Sequence, residues 1–150
     1  MSIRVLIVDD EPIARRGVRQ RLRAEADIEV IGECGDGNSA IAAIGSLRPD
    51  LVFLDIQMPE IGGFEVLDAI GLSQMPAVIF VTAFDQFAVR AFDVHALDYV
   101  LKPIDGKRFG QALERARQQL ARGDGQVTGR IAAALAELGV TAPKRWSKRL

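Results

Sequence analysis

Five polar residues stand out for where they fall: Asp9, Asp10, Asp55, Thr82 and Lys102. Each directly follows, or ends, a short run rich in β-branched and apolar residues: Ile3–Val8, Leu51–Leu54, Ala77–Val81 and Ala96–Leu101. A carboxylate gains nothing from a core, and ionised and unpaired there it would cost several kcal/mol. If the runs are parallel strands of one sheet, their carboxyl ends share an edge, and open α/β sheets keep their chemistry in the crevice beyond that edge. Clustered carboxylates repel one another unless a cation joins them. Hard oxygen ligands of this kind suit Mg²⁺, which retains waters and accepts phosphate oxygens as further ligands. A hydroxyl and a lysine opposite the metal complete a clamp for a phosphoryl group. Asp55, the central acid, is the candidate nucleophile for an aspartyl phosphate. Taken singly, Asp55 reads equally well as a cap of the next helix; Lys102 as a simple neutraliser of an acid cluster is the lesser alternative once the five groups are taken together.

The elements that must position these groups follow from periodicity. Ile3–Val8, Ile28–Cys34, Leu51–Asp55, Ala77–Val81 and Ala96–Leu101 read as strands. Leu51 to Leu54 is apolar at every position, as in a strand covered on both faces. The last run is interrupted by Asp98 and Tyr99, which marks it as an edge. Pro12 suits a first helical turn, and Ile13, Gly17, Val18 and Leu22 are assigned to one helical face under a cover of arginines. Gly35–Asn38 is a turn that caps a helix from about Ser39 to Ser46. Further helices are expected at Phe64–Ile70, around Ala88–Phe92, and after Asp105, where Phe109, Leu113, Ala116 and Leu120 recur at helical steps. Strand and helix alternate five times, which predicts a parallel sheet with right-handed crossovers. Gly123-Asp124-Gly125 is a hinge signal, Thr128 a cap for a short helix carrying Ile131, Leu135 and Leu138, and Lys144–Arg149 a basic tail with Trp146.

The 150 residues suffice for one domain with a core and some additional chain. The net charge of −1 gives no signal for nucleic acid, but its distribution is uneven. Residues 1–121 hold 13 Lys and Arg against 18 Asp and Glu, a net of −5, and residues 122–150 hold 6 against 2, a net of +4. The single cysteine, Cys34, excludes an internal disulfide and reads as a small buried filler. No apolar run is long enough to span a membrane and no signal peptide opens the chain, so a cytoplasmic location is the default. His95, the only histidine, reads as a loop residue rather than a metal ligand, because no cysteine or second histidine accompanies it in the sequence. The glycines form no dinucleotide-binding loop.

Residues 1–121 resemble the receiver domain of bacterial two-component response regulators. The resemblance rests on Val-Asp-Asp-Glu-Pro at 8–12, Leu-Asp-Ile-Gln-Met-Pro at 54–59, Val-Thr-Ala at 81–83 and Tyr-Val-Leu-Lys-Pro at 99–103. It implies a flavodoxin-like doubly wound (βα)5 fold with strand order 2-1-3-4-5 and a C-terminal linker helix. It also implies Asp55 as phosphoacceptor, Asp10 as direct Mg²⁺ ligand, Asp9 acting through water, and the Gln57 carbonyl as a further ligand. Thr82 and Lys102 would bind the phosphoryl group, Thr82 and Tyr99 would be paired switch residues, and Lys102–Pro103 would be cis. Gln57 and Phe84 would flank the path of attacking water. At Gly62-Gly63, where many relatives have Asp-Gly, a looser loop is expected.

The stretch from Ala83 through Pro103 resembles receivers attached to LytTR (AlgR/LytR) DNA-binding domains. Such an effector domain needs about a hundred further residues. Residues 122–150 would then be the linker, with its short helix and basic tail leading into an effector domain absent from this chain. DNA would be reached only through that domain. The resemblance implies a sensor histidine kinase as phosphodonor and a homodimer on phosphorylation, with Arg90, Asp93, Asp98 and Arg108 as the charged residues sought on the dimer face. Two alternatives stay open: an Asp-nucleophile phosphatase, in which Gln57 occupies the place of the usual second acid, and a binding module that is not phosphorylated.

Overall fold

The computed structural model describes residues 2–71 and 73–122. The expected linker helix near Thr128 and the basic tail lie outside the described residues. Five strands, β1 (Ile3–Val8), β2 (Ile28–Cys34), β3 (Leu51–Leu54), β4 (Ala77–Thr82) and β5 (Asp98–Leu101), form one sheet in the order β2-β1-β3-β4-β5. Five helices alternate with them: α1 (Pro12–Leu22), α2 (Gly37–Leu47), α3 (Gly63–Ile70), α4 (Ala88–Asp93) and α5 (Gly106–Arg122). This is the flavodoxin-like α/β arrangement. The chain divides into two compact units, Met1–Val78 and Ile79–Leu150.

In the first unit β1 is central, paired in parallel with β2 on one side and β3 on the other. All four residues of β3 and Val5–Val8 of β1 are buried, which is why both strands read as unbroken apolar runs. The β1–β2 register shifts between Val5 and Leu6, so that Leu6 faces Gly32. Helix α1 starts with Pro12 and buries Val18 and Leu22. Ile13 is not on that face: at 100° per residue it lies roughly 140° round the helix from Val18, and it is 79% exposed. Arg15 and Arg19 both reach Glu33 of β2, Arg15 at 3.3 Å, so these arginines tie the helix to the sheet edge. Cys34 is buried, and burial together with the neighbouring Asp36 carboxylate holds its thiol above its usual pKa, against the pull of Arg15.

Helix α2 begins two residues earlier than the sequence predicts, because Asp36 takes the capping position. Its carboxylate accepts the Ser39 N–H at 2.8 Å and the Ser39 hydroxyl at 3.1 Å. At the other end Arg48 is left-handed (φ 49°). The Arg4 guanidinium donates to the carbonyls of Leu47 and Arg48, both at 2.7 Å. A cation at the last carbonyls of a helix satisfies groups that have no partner within the helix and complements its dipole.

In the second unit β4 and β5 pair in parallel from Ile79–Asp98 to Thr82–Leu101. β5 is an edge strand, yet Asp98 and Tyr99, the residues that made it read as one, are 0% and 1% exposed. Asp105 caps α5 by accepting the Arg108 N–H at 2.9 Å. The buried face of α5 carries Phe109, Ala112, Leu113, Ala116 and Gln119. Leu120, expected on that face, is half-buried, and Gln119 is buried beside it.

Two outcomes follow. Arg4→Ala removes two charge-assisted hydrogen bonds from the end of α2 and costs about 1.5 kcal/mol of stability, read as a lower urea midpoint at unchanged m-value. Asp36 is held below its usual aspartate pKa chiefly by the Ser39 N–H and next by the Ser39 hydroxyl. A carboxyl lowered on folding contributes stability above its unfolded pKa and loses it as pH falls through the folded value. Asp36→Asn therefore makes the acid limb of a stability-against-pH curve shallower below the ordinary aspartate range, and urea melts across that range check it.

Candidate functional site

In the first unit, β1 delivers Asp9 and β3 delivers Asp55. The ladder places Val8 opposite Leu54, so the next residue of each strand emerges at the same level, and the Asp55 N–H bonds the Val8 carbonyl at 3.0 Å. Both carboxylates are 4% exposed. Glu11 joins them: oxygens of Asp9, Glu11 and Asp55 all lie within 4.8 Å of one another. Asp10, the expected direct metal ligand, is half-buried and stands outside that group in this structure. Its backbone neighbours explain the turn. Asp9 Oδ1 accepts the Glu11 N–H at 2.9 Å, and Glu11 is the extended residue before the first turn of α1. Pro12 sets that turn, and its position is the sequence signal that places Glu11 at the helix entrance. Arg15 Nη1 holds the Asp9 carbonyl at 2.6 Å from behind.

The loop after β3 is tight. The Gln57 N–H donates to Asp55 Oδ1 at 3.3 Å, and the Gly63 N–H to the Ile56 carbonyl at 2.9 Å. A Cβ on Gly63 would come within 2.6 Å of the Asp55 carbonyl, and one on Gly62 would land on the Ile56 carbonyl. The looser loop expected at Gly62-Gly63 is therefore not what forms: without side chains the backbone closes onto the residue that carries the nucleophile candidate. Glu65 Oε1 accepts the Gly62 N–H at 3.1 Å and fixes the start of α3. Three like charges this close, two of them nearly dry, repel unless a cation joins them, and three hard oxygen donors fit Mg²⁺.

In the second unit, Thr82 ends β4 and is fully buried. Its Oγ1 accepts the Phe84 N–H at 3.4 Å, and the phenol of Tyr99 donates to the Phe84 carbonyl. Tyr99 thus points inward, 1% exposed, with its ring 6.3 Å from that of Phe80. The Phe84 side chain itself is 41% exposed. Lys102 follows β5, its N–H bonds the Thr82 carbonyl at 2.8 Å, and the Lys102–Pro103 peptide is cis. Of the residues sought on a dimer face, Arg90 is exposed and Asp93 half-buried. Asp98 is not on a surface: its side chain is 0% exposed and paired within the chain to Arg108 and Arg115, each at 2.6 Å.

A family model described as the response regulator receiver domain matches residues 5–114. The transcriptional regulatory protein BtsR of Salmonella typhi is 49% identical over 122 residues, which is 81% of this chain and 51% of that protein. The chain therefore spans about half the length of this curated relative. Among solved structures, the REC domain of AraT, a response regulator from Geobacillus stearothermophilus, is 31% identical with a TM-score of 0.74, covering 81% of this chain and 98% of that one. A CheX–CheY complex with BeF3 and Mg from Borrelia burgdorferi matches at 26% identity and a TM-score of 0.68, over 74% of this chain and 86% of that one.

Gly63→Ala forces a methyl group against the Asp55 carbonyl and costs about 2 kcal/mol of stability. Gly45→Ala, where a Cβ meets nothing within 4 Å, carries no such penalty, and urea melts of the two variants check the difference.

Proposed function

The chain belongs to the response regulator receiver domain family, and from that premise we propose that it is a phosphorylation switch with Asp55 as phosphoacceptor. The observation that carries this reading is the convergence of the Asp9, Glu11 and Asp55 carboxylates within 4.8 Å at the ends of β1 and β3. Asp55, Asp9, Asp10 and the Gln57 carbonyl hold Mg²⁺ in this reading, and Glu11 supplies a further carboxylate. When bound, the metal offsets the charge of the acids and of the incoming phosphoryl oxygens. An Asp55 oxygen attacks the phosphorus of a phosphohistidine on a sensor kinase, the P–N bond breaks, and the imidazole leaves. Thr82 and Lys102 bind the transferred group as hydroxyl and ammonium donors. The Mg²⁺ and BeF3 named for the Borrelia relative support this assignment.

Tyr99 reports the outcome. Thr82 and Tyr99 meet at the two ends of one residue, Phe84, through its N–H and its carbonyl. A phosphoryl group that draws on the Thr82 hydroxyl weights the equilibrium between arrangements of this chain and so the face formed by α4, β5 and α5. Arg90 and Asp93 remain the charged residues proposed for a homodimer contact there. The output proposed is control of transcription through an attached LytTR-type DNA-binding domain, in keeping with the name of the BtsR relatives. Among the described residues no helix is long and apolar enough to cross a membrane, and the proposed location is the cytoplasm.

The test is to mix the protein with Mg²⁺ and acetyl phosphate and weigh it. A gain of one phosphoryl group that is abolished by chelation and by Asp55→Asn is expected. Turnover of many equivalents would instead point to a phosphatase, and no gain to a binding module.

A further inference from the structure

We propose that Asp98 is a positioning residue for Tyr99 and the fastening that joins Tyr99 to α5. The Asp98 carboxylate is fully buried at the start of β5. Its Oδ1 accepts the Tyr99 N–H at 2.7 Å and Arg108 Nη2 at 2.6 Å. Its Oδ2 accepts Arg108 Nη1 at 3.0 Å and Arg115 Nη1 at 2.6 Å. Arg108 Nη2 also donates to the Tyr99 carbonyl at 2.9 Å. The backbone of Tyr99 is thus gripped at both ends, its N–H by the carboxylate and its carbonyl by the guanidinium that the same carboxylate holds in a bidentate pair.

A buried ion pair is a poor way to gain stability, since apolar residues of like volume often do as well. Its geometry is what apolar residues do not supply. A planar fork fixes the direction of its partner as well as the distance. Fixing the Tyr99 backbone aims its side chain, and the ring then lies beside Phe80 with its hydroxyl on the Phe84 carbonyl. Arg108 and Arg115 are two turns apart on one face of α5. That helix seats Phe109, Ala112, Leu113 and Ala116 in the core and continues to Arg122. Any shift of the Tyr99 backbone is therefore passed to α5 through two charged contacts as well as through the packing of the helix on the strand. Its use in signalling rests on the phosphoacceptor reading; the positioning of Tyr99 does not.

Tyr99 is the only tyrosine in the chain, so the full chain grown with 3-fluorotyrosine gives a single ¹⁹F resonance that needs no assignment. Asp98→Asn would leave two arginines without their buried partner and endangers folding. The variants are therefore Arg108→Ala, Arg108→Lys and Arg115→Ala, whose side chains are 18% exposed. Without phosphodonor, Arg108→Ala is expected to move the resonance toward that of free 3-fluorotyrosine. Arg108→Lys, which keeps the charge and loses the fork, should move it nearly as far, and Arg115→Ala less. Thermal midpoints of all three should fall. A resonance that stays at the wild-type position in both Arg108 variants while their midpoints fall overturns the proposal, leaving the cluster a matter of stability alone. Phosphate uptake by the wild type is weighed separately, so the two readings fail independently.

Discussion

Strands buried on both faces have nowhere to carry charge except past their ends, and this constraint sets the rest of the molecule. Every residue of β3 is buried, as are the last four of β1 and the last five of β4. A polar group within those spans would lose its water without replacement. Polar residues therefore gather where the strands stop, and in the first unit that brings Asp9, Asp55 and Glu11 together. β5 breaks the pattern at Asp98. It does so only because two arginines reach back from α5 to complete the carboxylate's bonding.

Much of this was legible in the sequence for the same reason. Short runs rich in β-branched and apolar residues mark all five strands, unbroken in β3 and interrupted by charge in β2 and β5, and helical spacing marks the helices between them. What sequence reading missed depends on phase and on side-chain caps. Ile13 was grouped with Val18 and Leu22, although their angular separation on a helix puts it outside. Helix α2 starts at Gly37 because the Asp36 carboxylate binds Ser39, a bond that composition does not show. Asp98 reads as a surface charge, since nothing in a four-residue edge strand reveals that Arg108 and Arg115, ten and seventeen positions later, will cover it. Glu11 carries no sequence signal of its own beside the pair of aspartates before it. Only the turn at Pro12 brings it to the acids.

The link between Thr82 and Tyr99 runs through backbone. Both bond the main chain of Phe84, one at its N–H and one at its carbonyl. The side chain at 84 is 41% exposed and takes no part in either bond, so the link does not depend on its identity. A relay made of peptide groups is stiff, and it is indifferent to which residue lends them.

The glycines behind Asp55 divide the surrounding loop into two kinds of position. Gly62 and Gly63 are buried and press bare backbone on Ile56 and Asp55, while Gln57, Pro59 and Glu60 are exposed. Change in the side chains at Pro59 and Glu60 alters what a visiting protein meets, whereas Gln57 also lends its N–H to the Asp55 carboxylate. Change at the two glycines moves the carboxylate itself. A duplicated gene could thus change what its surface offers at Pro59 and Glu60 while the position of the Asp55 carboxylate is kept by two residues that have no side chain to vary.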